Sequence, residues 1–256
     1  MAETIVMIHG MMGGAWYWEH YKKFFESKGY TCIIPTLRFH DMEPEERPNP
    51  ALGMTSLLDY AGDLEKEIKE LHTVPILMGH SMGGLLAQIL ASRGLAKVLV
   101  LLTPASPYRI MSLKPSVIRT FGSALTQYGF WKRPFRLTLN EVVYSMLQLF
   151  PPEEQKVLYA RFVYESGRAA FEIGLWFFDH LGAAKVDELK ITCPVLVISG
   201  TMDKITPASV VRKVAEKYKS VSTYKEFTTH SHWVVGEPGW QEVAEYVSDW
   251  LSNVLK

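Results

Sequence analysis

Residues 76–86 read Ile-Leu-Met-Gly-His-Ser-Met-Gly-Gly-Leu-Leu, ILMGHSMGGLL. An apolar run of strand character ends at Gly79, and an apolar run of helical character begins at Met82. Between them stands G-x-S-x-G, with Gly79 and Gly83 flanking Ser81 at two positions on either side. A sharp strand-to-helix turn strains its central residue and crowds the residues two positions away, so glycine is required there. The turn lifts a serine hydroxyl above the carboxyl edge of a sheet. It lies beside a helix N-terminus, whose free N–H groups and dipole favour an oxyanion. A phosphate loop would need G-x-x-x-x-G-K-[ST], and no lysine stands here.

The rest of the chain supplies the sheet. Thr4–His9, Tyr30–Ile34, Val74–Met78, Val98–Leu102, Val195–Ser199 and Thr223–Phe227 read as strands. Trp16–Ser27, Ser56–Leu71, Met82–Ser92, Ala208–Tyr218 and Gln241–Val254 read as helices. Strands separated by helices imply right-handed parallel crossovers, and nearly all-apolar strands imply a sheet covered on both faces. The fold class expected is therefore α/β, a mostly parallel six-stranded sheet with helices on both faces. Residues 38–53 carry Pro44, Pro48, Pro50 and a charge cluster, so a long loop is expected there.

The alternation breaks between Thr103 and Lys190, where the texture is helical and rich in aromatics. An insertion of this length inside a regular parallel sheet reads as a helical cap. The expected organisation is core at 1–103, cap at 104–190 and core again at 191–256. From Thr103 to Asn140 the cap holds Arg109, Lys114, Arg119, Lys132, Arg133 and Arg136, and no acidic residue. That segment is expected to be a solvated face over a pocket roof. The alternative is a basic amphipathic surface that meets a membrane.

Composition sets the outer limits. The chain has 256 residues, 48% of them hydrophobic and 21% charged, with 27 basic and 27 acidic side chains. A balanced charge argues against a nucleic-acid partner. No apolar run approaches a membrane span, and the start MAETIVMIHG has no basic leader region, so a cytoplasmic setting is expected. Cys32 and Cys193 do not form a disulfide framework.

A serine hydroxyl needs a base, and the base needs an orienting acid. On a fold of this kind they follow in the order Ser, acid, His. The strand at Val195 is followed by Gly200-Thr-Met-Asp203, which makes Asp203 the candidate acid. Asp179 and Asp187 have no preceding strand. The last strand is followed by Thr-Thr-His230-Ser-His232-Trp233, and spacing alone does not choose between the two histidines. No complementary cluster turns them into a metal site, so neither metal nor cofactor is expected. His20, His40, His72 and His180 are expected at the surface or in loops.

The whole chain resembles the α/β-hydrolases. Its opening, Ile8-His9-Gly10-Met11-Met12-Gly13-Gly14-Ala15-Trp16-Tyr17-Trp18, resembles the plant methylesterase and hydroxynitrile lyase branch. The resemblance implies that the backbone N–H groups of Met11 and Met82 form an oxyanion hole. It also implies that His232 is the base, because His-Trp-Val followed by Glu-Pro is how this region commonly reads, with His230 a supporting neighbour. Lyases of that branch usually have an acidic residue before the serine, a threonine after the first histidine and a lysine beside the catalytic histidine. Here those places hold His80, Gly10 and Trp233, which favours ester hydrolysis. The expected function is a serine carboxylic ester hydrolase acting on a small-molecule ester with an apolar group. A lipid-active hydrolase, a lyase, a C–C hydrolase and a ligand-binding receptor are the alternatives. After the second strand, Pro35-Thr-Leu-Arg-Phe-His-Asp41 departs from the Asp-x-x-G-x-G loop of many relatives.

Overall fold

The computed structural model describes residues 2–218 and 220–256. Its strands, in chain order, are β1 (Thr4–Ile8), β2 (Thr31–Ile33), β3 (Ile76–His80), β4 (Val98–Leu102), β5 (Pro134–Phe135), β6 (Glu165–Ser166), β7 (Val195–Gly200) and β8 (Ser222–Phe227). Six of them form one sheet in the order β2-β1-β3-β4-β7-β8, every neighbour pair parallel. β5 and β6 make a separate antiparallel pair. The helices are α1 (Glu19–Ser27), α2 (Leu57–Lys69), α3 (Met82–Ser92), α4 (Pro115–Thr120), α5 (Gly122–Leu125), α6 (Leu139–Ser145), α7 (Pro152–Tyr159), α8 (Gly167–Gly174), α9 (Ala208–Lys217) and α10 (Trp240–Val254).

Strand alternation sends side chains to opposite faces of the sheet. Val6, Leu77, Leu99, Leu101 and Val197 pack with α2, α3 and α9. Ile5, Met7, Met78, Val100 and Ile198 pack on the other side with α1 and α10. Both faces are covered, so β3, β4 and β7 are buried along their whole lengths, while the edge strands β2 and β8 are only partly buried. α3 runs through this core with every residue from Met82 to Ala91 buried, as its near-continuous apolar sequence requires. α2 is amphipathic. It opens on a capping box, in which Ser56 receives the Leu58 N–H and its own N–H donates to Asp59.

β3 starts later than its apolar run suggests. Val74 is half exposed, and the strand extends instead through Gly79 and His80, paired in register as far as Leu102 of β4. The proline-rich loop closes on a short 3-10 turn at Pro50–Met54, capped by the Asn49 side chain. The β5–β6 pair, which the sequence does not announce, forms where Gly167 packs so close to the Phe130 carbonyl that a Cβ would lie 1.8 Å from it.

Residues 103–194 hold five helices and share both cores of the sheet. Ala169, Ile173, Ala183 and Val186 join one cluster, and Leu137, Val142, Leu147 and Phe162 join the other. Among the described residues no helix is long and apolar enough to cross a membrane.

Candidate active site

The turn between β3 and α3 has the strained geometry its glycines foretell. Ser81 has φ 53° and ψ −120°, a conformation a residue with a side chain rarely adopts. A Cβ on Gly79 would lie 2.3 Å from the Gly83 carbonyl oxygen, and one on Gly83 would lie 2.1 Å from that of Ile8. No other residue fits either place. The strain is held by backbone bonds: the Ser81 N–H donates to Leu102 O, and the Ser81 carbonyl accepts from Gly84, Leu85 and Ala105.

Three distant segments meet at this turn. The Ser81 hydroxyl donates to His232 Nε2 at 2.9 Å, and His232 Nδ1–H donates to Asp203 Oδ2 at 2.8 Å. All three residues are buried, Ser81 retaining 8% exposure toward a cavity. Asp203 sits at the carboxyl end of β7, and its other oxygen accepts the N–H groups of Ile205 and Thr206. Burial works against its charge, but the facing His232 and the Thr206 bonds outweigh it, and the carboxyl stays below the usual range.

His230 is turned away. Its Nδ1 pairs with the buried Glu237 carboxylate at 2.9 Å, and its ring lies edge-on against Phe227. His80 also points away from Ser81, donating from Nε2 to the His232 carbonyl at 2.8 Å. Burial, reinforced by His232, lowers its pKa to about 3, so it stays a neutral donor. Thr103 donates to the same carbonyl, and Thr206 lies against both Asp203 and His232. Sequence reasoning missed Thr103 and Thr206, since a lone threonine after a strand carries no distinguishing signal.

Met11 and Met82 line the same cavity as Ser81. Met82 is the first residue of α3, where a helix provides no acceptor for the N–H. Met11 follows His9-Gly10, and His9 Nδ1–H donates to Gly10 O. The cavity encloses about 1010 Å³, counting its open mouth. Its wall is chiefly Leu113, Val117, Ile118, Phe121, Leu125, Phe130, Phe135, Leu137, Met146, Ile173 and Leu175, with no Asp, Glu, Lys or Arg. Of the aromatics in the insertion only Phe121, Phe130 and Phe135 reach it, whereas Phe162 is core and Phe178 is exposed. His40 lies in a loop, as expected, but that loop is not at the surface: His40 is 4% exposed, folded under the insertion against Glu165. The two cysteines are free.

A family model described as the alpha/beta hydrolase family matches residues 5–246. The chain belongs to the α/β hydrolase family. No curated protein matches its sequence. Among solved structures, this hydrolase superposes on a methylesterase protein, MES16, from Arabidopsis with TM-score 0.72 and 13% identity, covering 98% of this chain and 99% of that one. A monoacylglycerol lipase from Paleococcus ferrophilus gives TM-score 0.71 and 24% identity, covering 97% and 93%. Tomato methylketone synthase I, complexed with 2-tridecanone, gives 0.69 and 17%, covering 99% of both chains. At these identities the likeness is one of fold, extending over the whole of this α/β hydrolase, insertion included.

Proposed function

We propose that the protein is a serine carboxylic ester hydrolase that works through an acyl-enzyme. The observation that carries the reading is the Ser81–His232–Asp203 chain at 2.9 and 2.8 Å, set on a strained elbow at the floor of an apolar cavity. His232 takes the Ser81 proton as Oγ attacks the ester carbonyl, and Asp203 steadies the imidazolium. The N–H groups of Met11 and Met82 receive the developing oxyanion. His232 then protonates the leaving alcohol, and water repeats the sequence in reverse to release the acid. The lining without charged side chains supports an uncharged apolar acyl or alcohol group, because an ionised substrate group would lose its hydration there without a partner. The methylesterase and the monoacylglycerol lipase among the fold relatives act within this reaction class.

A second reading, a lipid ester substrate, draws on the cavity mouth. Ile118 and Leu125 line the cavity yet are 50% and 39% exposed, and the neighbouring Lys114, Lys132 and Arg133 are exposed too. Both readings meet one experiment. A fluorophosphonate should label Ser81, and Ser81→Ala should lower turnover of p-nitrophenyl esters by roughly four to six orders of magnitude. Full activity in Ser81→Ala removes the mechanism. A rate that climbs as the ester passes its solubility limit favours the lipid substrate. A rate that peaks at dissolved short or medium chains favours a small ester.

A further inference from the structure

Glu165 lies in β6 of the insertion, far in sequence from the Ser81 elbow, and is fully buried. A buried carboxylate is costly unless each oxygen is satisfied. Here one oxygen, Oε1, accepts the Tyr60 hydroxyl at 2.9 Å and the Ser166 N–H at 2.6 Å. The other, Oε2, accepts His40 Nε2–H at 3.1 Å and the Met12 N–H at 3.1 Å. His40 Nδ1 faces the Arg38 carbonyl at 3.0 Å, so both ring nitrogens face acceptors and both carry protons. Glu165 is thus a carboxylate with its own imidazolium counter-ion, sealed between the insertion and the core segments that carry Met12, His40 and Tyr60.

The fourth of those bonds has a consequence for chemistry. A peptide unit is planar, so holding its carbonyl or its N–H fixes both. The Met11–Met12 peptide is held at both ends: the Tyr17 hydroxyl donates to Met11 O at 3.0 Å, and Glu165 accepts the Met12 N–H. The preceding Gly10–Met11 peptide, which carries the Met11 N–H, is held by His9 on Gly10 O at 2.8 Å. Met12 itself has φ 58°, in the left-handed region, so the loop keeps its course only because contacts impose it. Its carbonyl accepts from Val163, in the same insertion segment as Glu165.

We propose that Glu165 is a positioning residue that sets the oxyanion loop, clamping the Met12 peptide from the insertion so that the Met11 N–H is aimed over Ser81. The role rests on the ester-hydrolase reading for its chemistry. The insertion then both roofs the cavity and completes the catalytic geometry beneath it.

Glu165→Gln is the test, because its amide group has only one acceptor oxygen and must turn N–H groups toward donors. Two rates are measured: Ser81 labelling by a fluorophosphonate, which also places charge on an oxygen in the oxyanion hole, and turnover of a p-nitrophenyl ester. The expected result is that labelling and kcat both slow by about 10- to 100-fold, while KM stays within about threefold. A merely structural glutamate would lower the folding midpoint and leave the per-molecule rates unmoved. A folded Glu165→Gln that labels and turns over within about twofold of wild type overturns the proposal. If Glu165→Gln does not fold, Tyr60→Phe and His40→Gln, which each remove one partner of the carboxylate, are measured in its place. Parallel losses in labelling and kcat support the clamp, and unchanged rates in both overturn it. A wild-type protein that is labelled at Ser81 but turns over no ester defeats the hydrolase reading alone, and the labelling rates still judge the clamp.

Discussion

His230 and His232 stand two positions apart and face opposite ways. His232 reaches Ser81 and Asp203, whereas His230 is spent on Glu237, whose second oxygen binds the Ser231 hydroxyl. Replacing His232 with alanine should remove turnover by roughly four to six orders of magnitude, as with other members of such a triad. Replacing His230 should instead leave Glu237 buried beside a void. The expected cost is about 1–3 kcal/mol of stability, with kcat per folded molecule within roughly fivefold. Paired measurements of kcat and of the unfolding midpoint decide the matter. A dead His230→Ala with an unchanged midpoint would reverse the assignment. The spacing of the two histidines could not separate these roles, because a loop has no periodicity from which side-chain direction follows.

At the scale of elements, the insertion is anchored unevenly. β6 and α8 are fastened to the core by two buried carboxylates. Glu165 holds Met12, His40 and Tyr60, while Glu172 holds the Leu57 N–H and the Ser56 hydroxyl at the start of α2 and pairs with Arg168. α4 and α5 have a lighter hold. Their side-chain hydrogen bonds to the rest of the protein go to Glu141 of α6, which receives the N–H and hydroxyl of Ser123; Arg119 adds a contact over the Tyr144 ring, and they leave Ile118 and Leu125 exposed. Local opening follows the number of buried contacts that must break. Amide exchange should therefore be faster in residues 111–128 than in residues 165–174 by at least about tenfold, measured by hydrogen–deuterium exchange with peptide resolution. Equal protection of the two segments would show that the cavity mouth is as rigid as its base.

For the whole molecule, the buried histidines fix how stability varies with pH. Burial lowers His9 and His80 from 6.5 to about 3 in the folded state. Below pH 6.5 the unfolded chain takes up protons that the folded chain refuses, so stability falls as the solution is acidified. Two such protons correspond to a slope of about 2.7 kcal/mol per pH unit. Glu67 and Glu172, whose carboxyls burial raises, oppose this only toward the low end of the window. His40 and His230 behave oppositely. For His40 burial resists the charge, but Glu165 outweighs it; for His230 the Glu237 bond leads. Both end above 6.5, and the stability they add is present below that value and lost as pH rises through their folded pKa values. The unfolding midpoint should therefore peak near pH 6.5, and His40→Gln should flatten its alkaline side. A midpoint that stays level between pH 7 and 5 would contradict the assignment of neutral buried His9 and His80.

What the sequence determined by itself was whatever depends on local rules. The alternation of apolar strands with helices specified a parallel sheet with both faces covered. Gly79 and Gly83 marked the elbow, because at a strained turn only a residue without a side chain clears the opposing carbonyls. Asp203 was legible as the first acid after a strand end. Tertiary structure alone decided the partners that arrive from remote segments. Between His230 and His232, which spacing left open and only the family resemblance separated, it put His232 at the Ser81 hydroxyl, since the direction of a loop side chain is set by what packs against it. It buried His40, which looks like any polar loop residue, beneath an insertion more than a hundred residues away in the chain, where Glu165 supplies the opposite charge. It also turned most of the aromatics of residues 103–190 into core or surface rather than cavity wall, because helical texture without strand register does not say which face of each short helix looks inward.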